Sequence, residues 1–381
     1  MYKYKRFLDE AGMENIYTKS KEAGNAVTII SLKRIKENFK YLKQITFPAV
    51  CMPVLKANAY GLGMEEIAEN LLDEMQGCFV ATPSEGYLLN DLRIKNRKEI
   101  DIFILHGFLP NESEKIAKAG LIPVLNTLNQ AFEWHRNHRN KPCAIQIDSG
   151  MSRFGLSVSE AKKSFLKDLN IKLVLTHLAC ASEEDHPSNR EQLESFLHIT
   201  NQSFSGIPRS ISASEGIFLG KEFHLDVVRP GVGLYSPLRE NKISPLMNAV
   251  SIKAPIFQIS EYNAGQSFGY GHTWKAKRKT VSATIGIGYA DSCLTSRKRN
   301  EDIFLWKDGI AFPIIGRISM DSLMIDITDH ADKVKVGDFV ELLGEFQPLI
   351  ALAQKCEITS HEVLTSIGKR LNKEYISFEL A

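Results

Sequence analysis

The sequence predicts an α/β fold in which an N-terminal (β/α)8 TIM-like barrel is followed by a C-terminal β-rich domain. Between residues 50 and 228, short apolar runs of strand length alternate with segments of helical periodicity. After residue 240 the pattern changes, and strand-like runs separated by turn residues dominate. A doubly wound open sheet is the alternative arrangement for the first part of the chain.

Eight apolar runs supply the predicted barrel strands. Parallel strands need crossover connections, and most segments between the runs provide them, as where Met64, Ile67 and Leu71 share one helical face. Eight such units over roughly 190 residues are typical of a TIM barrel, slightly small for the type. The runs are VCMPVL (50–55), CFVA (78–81), DIFIL (101–105), LIPVL (121–125), CAIQI (143–147), KLVLT (172–176), SISA (210–213) and LDVV (225–228).

A further strand and helix are predicted before the barrel, at VTIIS (27–31) and the helically spaced apolar residues that follow it. The C-terminal part contains runs such as KTVSATIGIGYA and DSLMIDITD, and KDG at 307–309 predicts a hairpin turn. The predicted divisions are an N-terminal extension without an assigned role (1–24), the barrel domain (25–245), whose first strand could instead join the β domain, and the β domain (246–381).

The charge balance gives no sign of a nucleic-acid partner. Lysine and arginine number 47 against 45 acidic residues, and the basic cluster SRKRN (296–300) is most simply a solvated loop. No apolar stretch approaches the length of a membrane span, and the charged N-terminus has no apolar core typical of a signal peptide. The six cysteines show no CxxC pairing, so we expect free thiols, no metal site and a cytoplasmic location.

Polar residues follow five of the predicted barrel strands, where active sites of this fold are built. Lys56 follows the first strand, Arg153 the fifth, His177 the sixth and Ser214 the seventh, and RPGVGLY (229–235) closes the eighth. Because the carboxyl ends of these strands share one face of a barrel, we expect these residues to converge there.

The end of strands seven and eight is also the usual phosphate site of such barrels. Ser214 offers a hydroxyl, and Gly231 and Val232 offer backbone N–H groups. A displayed lysine together with a phosphate cradle favours pyridoxal 5'-phosphate, with Lys56 as its Schiff-base lysine. A lysine aldolase that forms a Schiff base with a carbonyl substrate would share both features.

VLKANAYGLG (54–63) is similar to the pyridoxal-lysine motif of bacterial alanine racemases. The resemblance continues in the family's order over about residues 25 to 375, through DSGMSRFG, LTHLACAS, RPGVGLY, GYGHTW, GIGYAD and GRISMDSLMID. It implies a barrel joined to a β domain, in a head-to-tail homodimer whose active sites use both chains. It also implies a small amino acid as substrate and pyridoxal phosphate as cofactor.

The resemblance implies two bases that act on opposite faces of the substrate aldimine, Lys56 and a tyrosine of the partner subunit that falls on Tyr270. His177 and Arg229 would assist the tyrosine through hydrogen bonds. Arg229 would also face the pyridine nitrogen of the cofactor. Since a guanidinium does not give up its proton in proteins, it would leave that nitrogen unprotonated and disfavour decarboxylation.

Other positions take implied roles in the same way. Arg153 would contact the phenolic oxygen of the cofactor and the substrate carboxylate. The backbone at Met320, next to Asp321, would contact the same carboxylate from the partner chain. Tyr60, Ser214, Gly231 and Val232 match phosphate-binding positions, and Tyr289, Arg317 and Ile367 match a substrate corridor.

Two departures from the family pattern are visible. Where many members have a carbamylated lysine seven residues before the arginine, this chain has Gln146, whose amide carbonyl could accept the same hydrogen bond without a charge. The phosphate-side tyrosine near the C-terminus falls on Lys369, whose ammonium could also bind phosphate. Cofactor binding is therefore expected to survive, while the acceptance of alanine alone stays open.

Several functions are consistent with these residues. The first is an alanine racemase that supplies D-alanine for peptidoglycan in a bacterium, with a broad-spectrum or serine racemase as its variant. The second is a barrel decarboxylase of basic amino acids, which Arg229 disfavours. The third is a non-catalytic pyridoxal-phosphate carrier, which the β domain disfavours.

Overall fold

The computed structural model describes residues 25–239, 244–294 and 302–377. The chain forms two compact units, one spanning Lys36–Leu234 and one that combines the chain up to Ile35 with the chain from Tyr235 onward. The interpretations of residues 1–24 and of the basic cluster at 296–300 lie outside the described residues.

The described part of the chain opens with β1 and α1, and the first unit then carries eight strands that overlap the eight apolar runs. The elements, in chain order, are β1 (Val27–Ser31), α1 (Leu32–Thr46), β2 (Val50–Cys51), α2 (Met64–Leu71), β3 (Gly77–Val80), α3 (Pro83–Lys95), β4 (Asp101–Ile104), α4 (Ser113–Lys118), β5 (Ile122–Leu125), α5 (Leu128–His138), β6 (Pro142–Gln146), β7 (Asn170–Leu175), α6 (Pro187–Ser203), β8 (Arg209–Ser210) and β9 (Val227–Val228).

The eight strands β2 to β9 close into a ring of parallel neighbours. Strands β3 to β8 form one sheet in sequence order, and β2 pairs with β9. Parallel bridges from Val54 to Phe79 and from Ala213 to Arg229 join these two groups. The pairing of the first strand with the last excludes the open doubly wound sheet, because an open sheet leaves two strands at its edges.

Two of the crossovers are not α-helices. Between β6 and β7 the chain makes the 3-10 turns Glu160–Lys162 and Ser164–Asp168, and between β8 and β9 it makes Gly216–Phe218 and Lys221–Phe223. The first of these segments carries the DSGMSRFG loop ahead of its 3-10 turns, and the second is short and contains two glycines.

The inside of the barrel is filled with apolar side chains. Phe79 and Phe103 stack there with ring centroids 4.8 Å apart. The buried cluster around them consists of Met52, Val54, Ile122, Val124, Ala144, Leu173, Leu175 and Val227. The barrel is therefore a packed core, so any site must lie at one of its ends.

The second unit is a β structure that includes β1. Strand β1 pairs antiparallel with Val250–Tyr262 and parallel with Asn372–Ile376, so it lies in this sheet and not in the barrel. The remaining elements are β10 (Val250–Tyr262), β11 (Ser267–Phe268), β12 (Trp274–Lys275), β13 (Thr280–Ile285), β14 (Phe304–Lys307), β15 (Ile310–Ile315), β16 (Leu323–Asp326), β17 (Phe339–Leu343), α7 (Leu349–Cys356), α8 (Ser360–Thr365) and β18 (Asn372–Ile376).

The predicted hairpin at KDG is present. Strands β14 and β15 pair antiparallel with Lys307 opposite Ile310, and the two residues between them, Asp308 and Gly309, both have positive φ angles of 50° and 80°. Positive φ at both central residues is the geometry of the tight hairpin turn that Asp-Gly favours. Within the residues that the structure describes, no helix combines the length and apolar character needed to cross a membrane.

Candidate active site

Lys56 begins a left-handed turn at the carboxyl end of the first barrel strand. The four residues that follow it, 57–60, have φ angles between 51° and 58°. The turn is closed by hydrogen bonds from Ala59 N to Leu55 O (2.8 Å) and from Gly61 N to Ala57 O (2.7 Å). L-residues rarely adopt this conformation, at a cost of roughly 1–2 kcal/mol each, so the surrounding structure must impose it.

Neighbouring polar groups hold the turn. The Asn58 side chain accepts a hydrogen bond from Met64 N at 2.9 Å and so caps the start of α2, while Asn58 N donates to Glu85 Oε1 at 3.3 Å. Glu85 is itself fixed, because its carboxylate accepts from Ala81 N at 2.8 Å and completes a capping box with Thr82 at the start of α3. The polar and glycine residues after Lys56 therefore build a rigid support for it.

The amine of Lys56 lies in an environment that favours its neutral form. Burial is the main cause that lowers its pKa, and the positive charges of Arg153 and Arg229 lower it further, while Glu85 opposes them. These charges place Lys56, Arg153 and Arg229 near one another at the same end of the barrel. A neutral amine is the form that attacks a carbonyl carbon to make a Schiff base.

Arg229 is buried at 4 % exposure and anchored by hydrogen bonds. Its Nη2 donates to Thr176 O at 2.7 Å, and its Nη1 donates to the Ser210 hydroxyl. Burial lowers its pKa to about 10, which still leaves the guanidinium charged at neutral pH. The side chain is thus a fixed donor of hydrogen bonds and cannot serve as an acceptor.

Ser214 and the loop after β9 form a compact cradle. The Ser214 hydroxyl oxygen accepts hydrogen bonds from Gly231 N at 2.8 Å and Gly233 N at 3.0 Å, which leaves its own proton available to donate. A Cβ atom on Gly231 would overlap the hydroxyl oxygen of Tyr60, so only glycine fits against this tyrosine. Tyr60 is buried, which raises its pKa and keeps the phenol protonated.

The DSGMSRFG segment is a loop organised by Asp148. One carboxylate oxygen accepts hydrogen bonds from the backbone N–H groups of Gly150, Met151 and Ser152 at 3.0, 3.0 and 3.1 Å. Gly155 has φ +120°, and a Cβ there would lie 2.5 Å from Asp148 N, so the loop closes only with glycine at this position. The loop presents Arg153 as an exposed side chain.

The structure places Gln146 at the start of this loop with a different partner from the one considered above. Its amide donates to the backbone oxygen of Phe154 at 3.4 Å. In the described part of the chain, its carbonyl makes no hydrogen bond to Arg153. Gln146 therefore supports the backbone next to Arg153.

Gln192 on α6 ties two loops of the barrel end together. Its Nε2 donates to His177 O at 3.0 Å, and its Oε1 accepts from Ala179 N at 2.8 Å, while Nε2 also approaches the Ser149 hydroxyl at 3.4 Å. The Ser149 and Thr176 hydroxyls are 2.8 Å apart. The half-buried His177 is thus held through its backbone.

In the second unit, Tyr270 lies in a turn between β11 and β12 and is 71 % exposed. The Arg317 side chain packs beside this turn, because a Cβ on Gly271 would lie 3.5 Å from Arg317 Nη1. Tyr289 N donates to Ser319 O at 3.1 Å, directly before the exposed Met320 and Asp321. Ile367 is buried, whereas Lys369 is exposed.

Comparison with known proteins identifies the family. Two family models match the chain: alanine racemase, N-terminal domain, over residues 30–238, and alanine racemase, C-terminal domain, over residues 249–375. The chain belongs to the alanine racemase family. Both halves match in the expected order, which confirms the resemblance and the fold drawn from the sequence motifs.

Individual alanine racemases are similar over nearly the whole chain. A catabolic alanine racemase of Mesorhizobium japonicum is 36% identical over 378 residues, covering 94% of this chain and 95% of that protein. An alanine racemase of Rickettsia bellii is 34% identical, covering 95% and 92%. The predicted class of enzyme, a pyridoxal-phosphate-dependent alanine racemase, is confirmed at the level of the family.

Solved structures agree. The crystal structure of alanine racemase from Bartonella henselae with covalently bound pyridoxal phosphate has a TM-score of 0.85 at 35% identity, covering 92% of this chain and 99% of that one. Biosynthetic alanine racemase from Pseudomonas aeruginosa has a TM-score of 0.82 at 28% identity with the same coverage.

Sequence reasoning missed residues that bind segments next to the predicted site residues. Gln192 and Glu85 were not singled out, because each acts through a hydrogen bond to a segment distant in the chain. Arg370 was also missed, although it directly follows Lys369. The arginine of SIGKR and the aspartates of GIGYAD and SMD were visible in the sequence. No local pattern indicates that these three distant motifs meet.

Proposed function

We propose that this chain interconverts L- and D-alanine with pyridoxal phosphate as cofactor and Lys56 as both its attachment point and one of two bases. The observation that carries this proposal is the setting of Lys56. A strained left-handed turn displays its amine, and burial with two nearby guanidinium groups favours the neutral, nucleophilic form. Family membership and the names of its relatives support the same activity.

The residues of the barrel end fit the cofactor. Ser214 has a proton to donate, Val232 offers a backbone N–H, and the absence of a side chain at Gly231 leaves the space that Tyr60 fills. These groups would hold the phosphate. When bound, the cofactor supplies an electron sink that makes the α-proton of an amino acid acidic.

Arg229 would face the pyridine nitrogen, and its anchoring supports this role. Two of its nitrogens are committed to Thr176 and Ser210, so the guanidinium orientation is fixed. Because it stays protonated, it donates a hydrogen bond to a ring nitrogen without giving up a proton. This favours reversible proton transfer over decarboxylation, which is the second candidate function.

Tyr270 is the proposed second base, contributed by the partner subunit of a homodimer. Its high exposure on a turn of the second unit is what a side chain offered to another copy requires. In the same arrangement, Arg153 and the backbone at Met320 and Asp321 would hold the substrate carboxylate, and His177 would assist the phenol. The further proposed roles are phosphate binding by Lys369 and a substrate corridor formed by Tyr289, Arg317 and Ile367.

The cellular role follows from the product. D-alanine is a building block of peptidoglycan, and we assign the protein to the cytoplasm, with no nucleic-acid or membrane partner. The near balance of 47 basic and 45 acidic residues supports the absence of a polyelectrolyte partner.

The activity is tested by proton NMR in heavy water with L-alanine and, separately, D-alanine. Loss of the α-proton signal from both, together with inversion, is expected. Exchange with serine or another amino acid instead of alanine would favour a broader racemase, and loss of carbon dioxide would favour a decarboxylase. No exchange with any amino acid would refute the racemase proposal.

The shared site is tested by mixing two inactive variants. Lys56→Ala and Tyr270→Phe should each abolish racemisation as homodimers. When the two are co-expressed, half the dimers are mixed and each mixed dimer has one site with both bases, so about a quarter of the activity should return. If Tyr270 instead acts on the Lys56 of its own chain, no activity should return.

A further inference from the structure

Arg370 bridges two acidic residues that lie in different segments of the second unit. Its Nε and Nη2 bind the two carboxylate oxygens of Asp291 at 2.5 and 3.0 Å, and its Nη1 binds Asp321 Oδ1 at 2.6 Å. Nη2 also approaches the backbone oxygen of Met320 at 3.4 Å. All these partners lie within 288–291, 319–321 and 368–370, which we call the three-segment junction.

The junction is more constrained than an ordinary surface ion pair. Asp291 is almost fully buried, with a side-chain exposure of 5 %, and its Oδ2 also accepts from Gly288 N at 2.9 Å. Its backbone oxygen accepts from Gly368 N at 2.8 Å. Asp291 therefore has little freedom to move. Because the guanidinium of Arg370 binds Asp291 in a bidentate fashion and also binds Asp321, it restricts the Asp321 side chain as well.

The backbone next to Met320 is packed as closely. Ala290 N donates to Met320 O at 3.1 Å, and a Cβ on Gly288 would overlap the carbonyl group of Met320. The Asp321 side chain, in contrast, is 63 % exposed and forms an ion pair with Arg370. Among the residues that the structure describes, the charged contact to the Asp321 side of this peptide comes from Arg370.

We propose that Arg370 is a positioning residue that holds the Met320–Asp321 peptide in place for the substrate carboxylate, acting through Asp291 and Asp321. This inference rests on the proposed function, in which that peptide contacts the carboxylate. Arg370 does not touch the substrate. A displaced peptide loses the hydrogen-bond geometry on which carboxylate binding depends, so small movements have large effects.

The test compares Arg370→Met with a matched control in the same unit. Arg278, outside the three segments of the junction, forms an exposed bidentate ion pair with Asp329 at 2.7 and 2.5 Å. Arg278→Met removes the same charge and, like Arg370→Met, a bidentate pair with one carboxylate. Arg370→Lys is included as well, because an ammonium keeps the charge but cannot reproduce the fork.

Two measurements are made on the holoenzyme: steady-state kinetics, which give KM and kcat for alanine in both directions, and binding of propionate, which gives its dissociation constant. Propionate keeps the carboxylate of alanine and lacks its amino group. Arg370→Met should raise KM and the propionate dissociation constant by roughly tenfold, with a smaller change in kcat. Arg278→Met should leave both unchanged. Arg370→Lys should resemble Arg370→Met. Adding Asp321→Asn to Arg370→Met should have little further effect, because both changes remove the same link.

The proposal is overturned if propionate binds Arg370→Met as tightly as it binds the control. It is also overturned if Arg370→Met weakens propionate binding only together with a loss of thermal stability and of cofactor, since that pattern marks a general structural role. Because propionate binding needs no turnover, a wild-type protein that binds propionate but does not racemise alanine would refute the proposed function and leave the role of Arg370 separately measurable.

Discussion

Replacing Gly231 with alanine should weaken cofactor binding, because the cradle beside Ser214 has no room for a side chain. The added Cβ would overlap the Tyr60 hydroxyl oxygen and lie 2.8 Å from Cζ of the Tyr60 ring. Carbon atoms normally pack at about 3.5–4.0 Å, so the ring or the loop must move by roughly 0.7 Å or more.

The size of the effect follows from how little Tyr60 can move. The side chain is buried, and its backbone is held at φ 58° within the left-handed turn. Overpacking of this kind costs about 1–3 kcal/mol. If that cost falls on the arrangement that binds phosphate, the dissociation constant for pyridoxal phosphate rises by roughly 5- to 150-fold, since ~1.4 kcal/mol is a factor of ten.

The assay titrates cofactor-free protein with pyridoxal phosphate, and urea unfolding of the same samples reports any cost to the fold. Gly233→Ala is the matched control, because its Cβ would lie 3.3 Å from the nearest atom, Ser214 Oγ, and also 3.4 Å from Ser214 Cβ. In a Tyr60→Ala background, Gly231→Ala should no longer reduce the free energy of unfolding, because the overlap is gone. Equal dissociation constants and unfolding free energies for the two glycine variants would refute the reasoning.

Three further predictions concern the same end of the barrel. Cofactor-free Lys56→Met should have a higher free energy of unfolding than wild type at neutral pH, because the folded pKa of Lys56 lies below its unfolded value of about 10.4. Urea titrations should show this difference in unfolding free energy shrinking as the pH rises toward that unfolded pKa. Gly155→Ala should lower the free energy of unfolding by about 1–3 kcal/mol, because its Cβ meets Asp148 N at a positive φ; an unchanged melting temperature would contradict this. Ala57→Gly should be neutral or stabilising, whereas Ala351→Gly in the right-handed α7 should cost about 1 kcal/mol; equal losses in thermal unfolding would count against the strain at residue 57.

The elements that could be predicted well from the sequence are those that short local patterns determine. Each of the eight apolar runs overlaps a barrel strand, although the seventh run shares only Ser210 with its strand. The overlap arises because a buried parallel strand is a short, continuous apolar segment between turn residues. The KDG hairpin was equally readable, since Asp and Gly tolerate the positive φ that the turn requires. The effect of the Arg153 and Arg229 charges on the pKa of Lys56 agrees with the placement of all three residues after barrel strands.

Other features depend on pairs of residues far apart in the chain and left no local trace. Arg370 meets Asp291 across 79 positions, and Gln192 meets Ser149 across 43. The 3-10 crossovers were also missed, because their sequences contain apolar residues at spacings that a short helix would share. The hydrogen-bond partner of the Gln146 side chain could not be predicted from the sequence either. An amide can donate or accept, and only the fold brings Phe154 O within hydrogen-bonding distance.

The stretch after Lys56 shows why the candidate site is where local rules fail. Residues 57–60 include two alanines, which strongly favour a right-handed helix, yet all four adopt the left-handed conformation. The adjoining amine is held where burial and two guanidinium groups disfavour its charge. Both features are unfavourable for the folded chain taken alone, and both occur within five residues. Such coincident costs are retained where geometry serves binding or chemistry. Here an amine with a lowered pKa begins the same turn whose Tyr60 packs against Gly231.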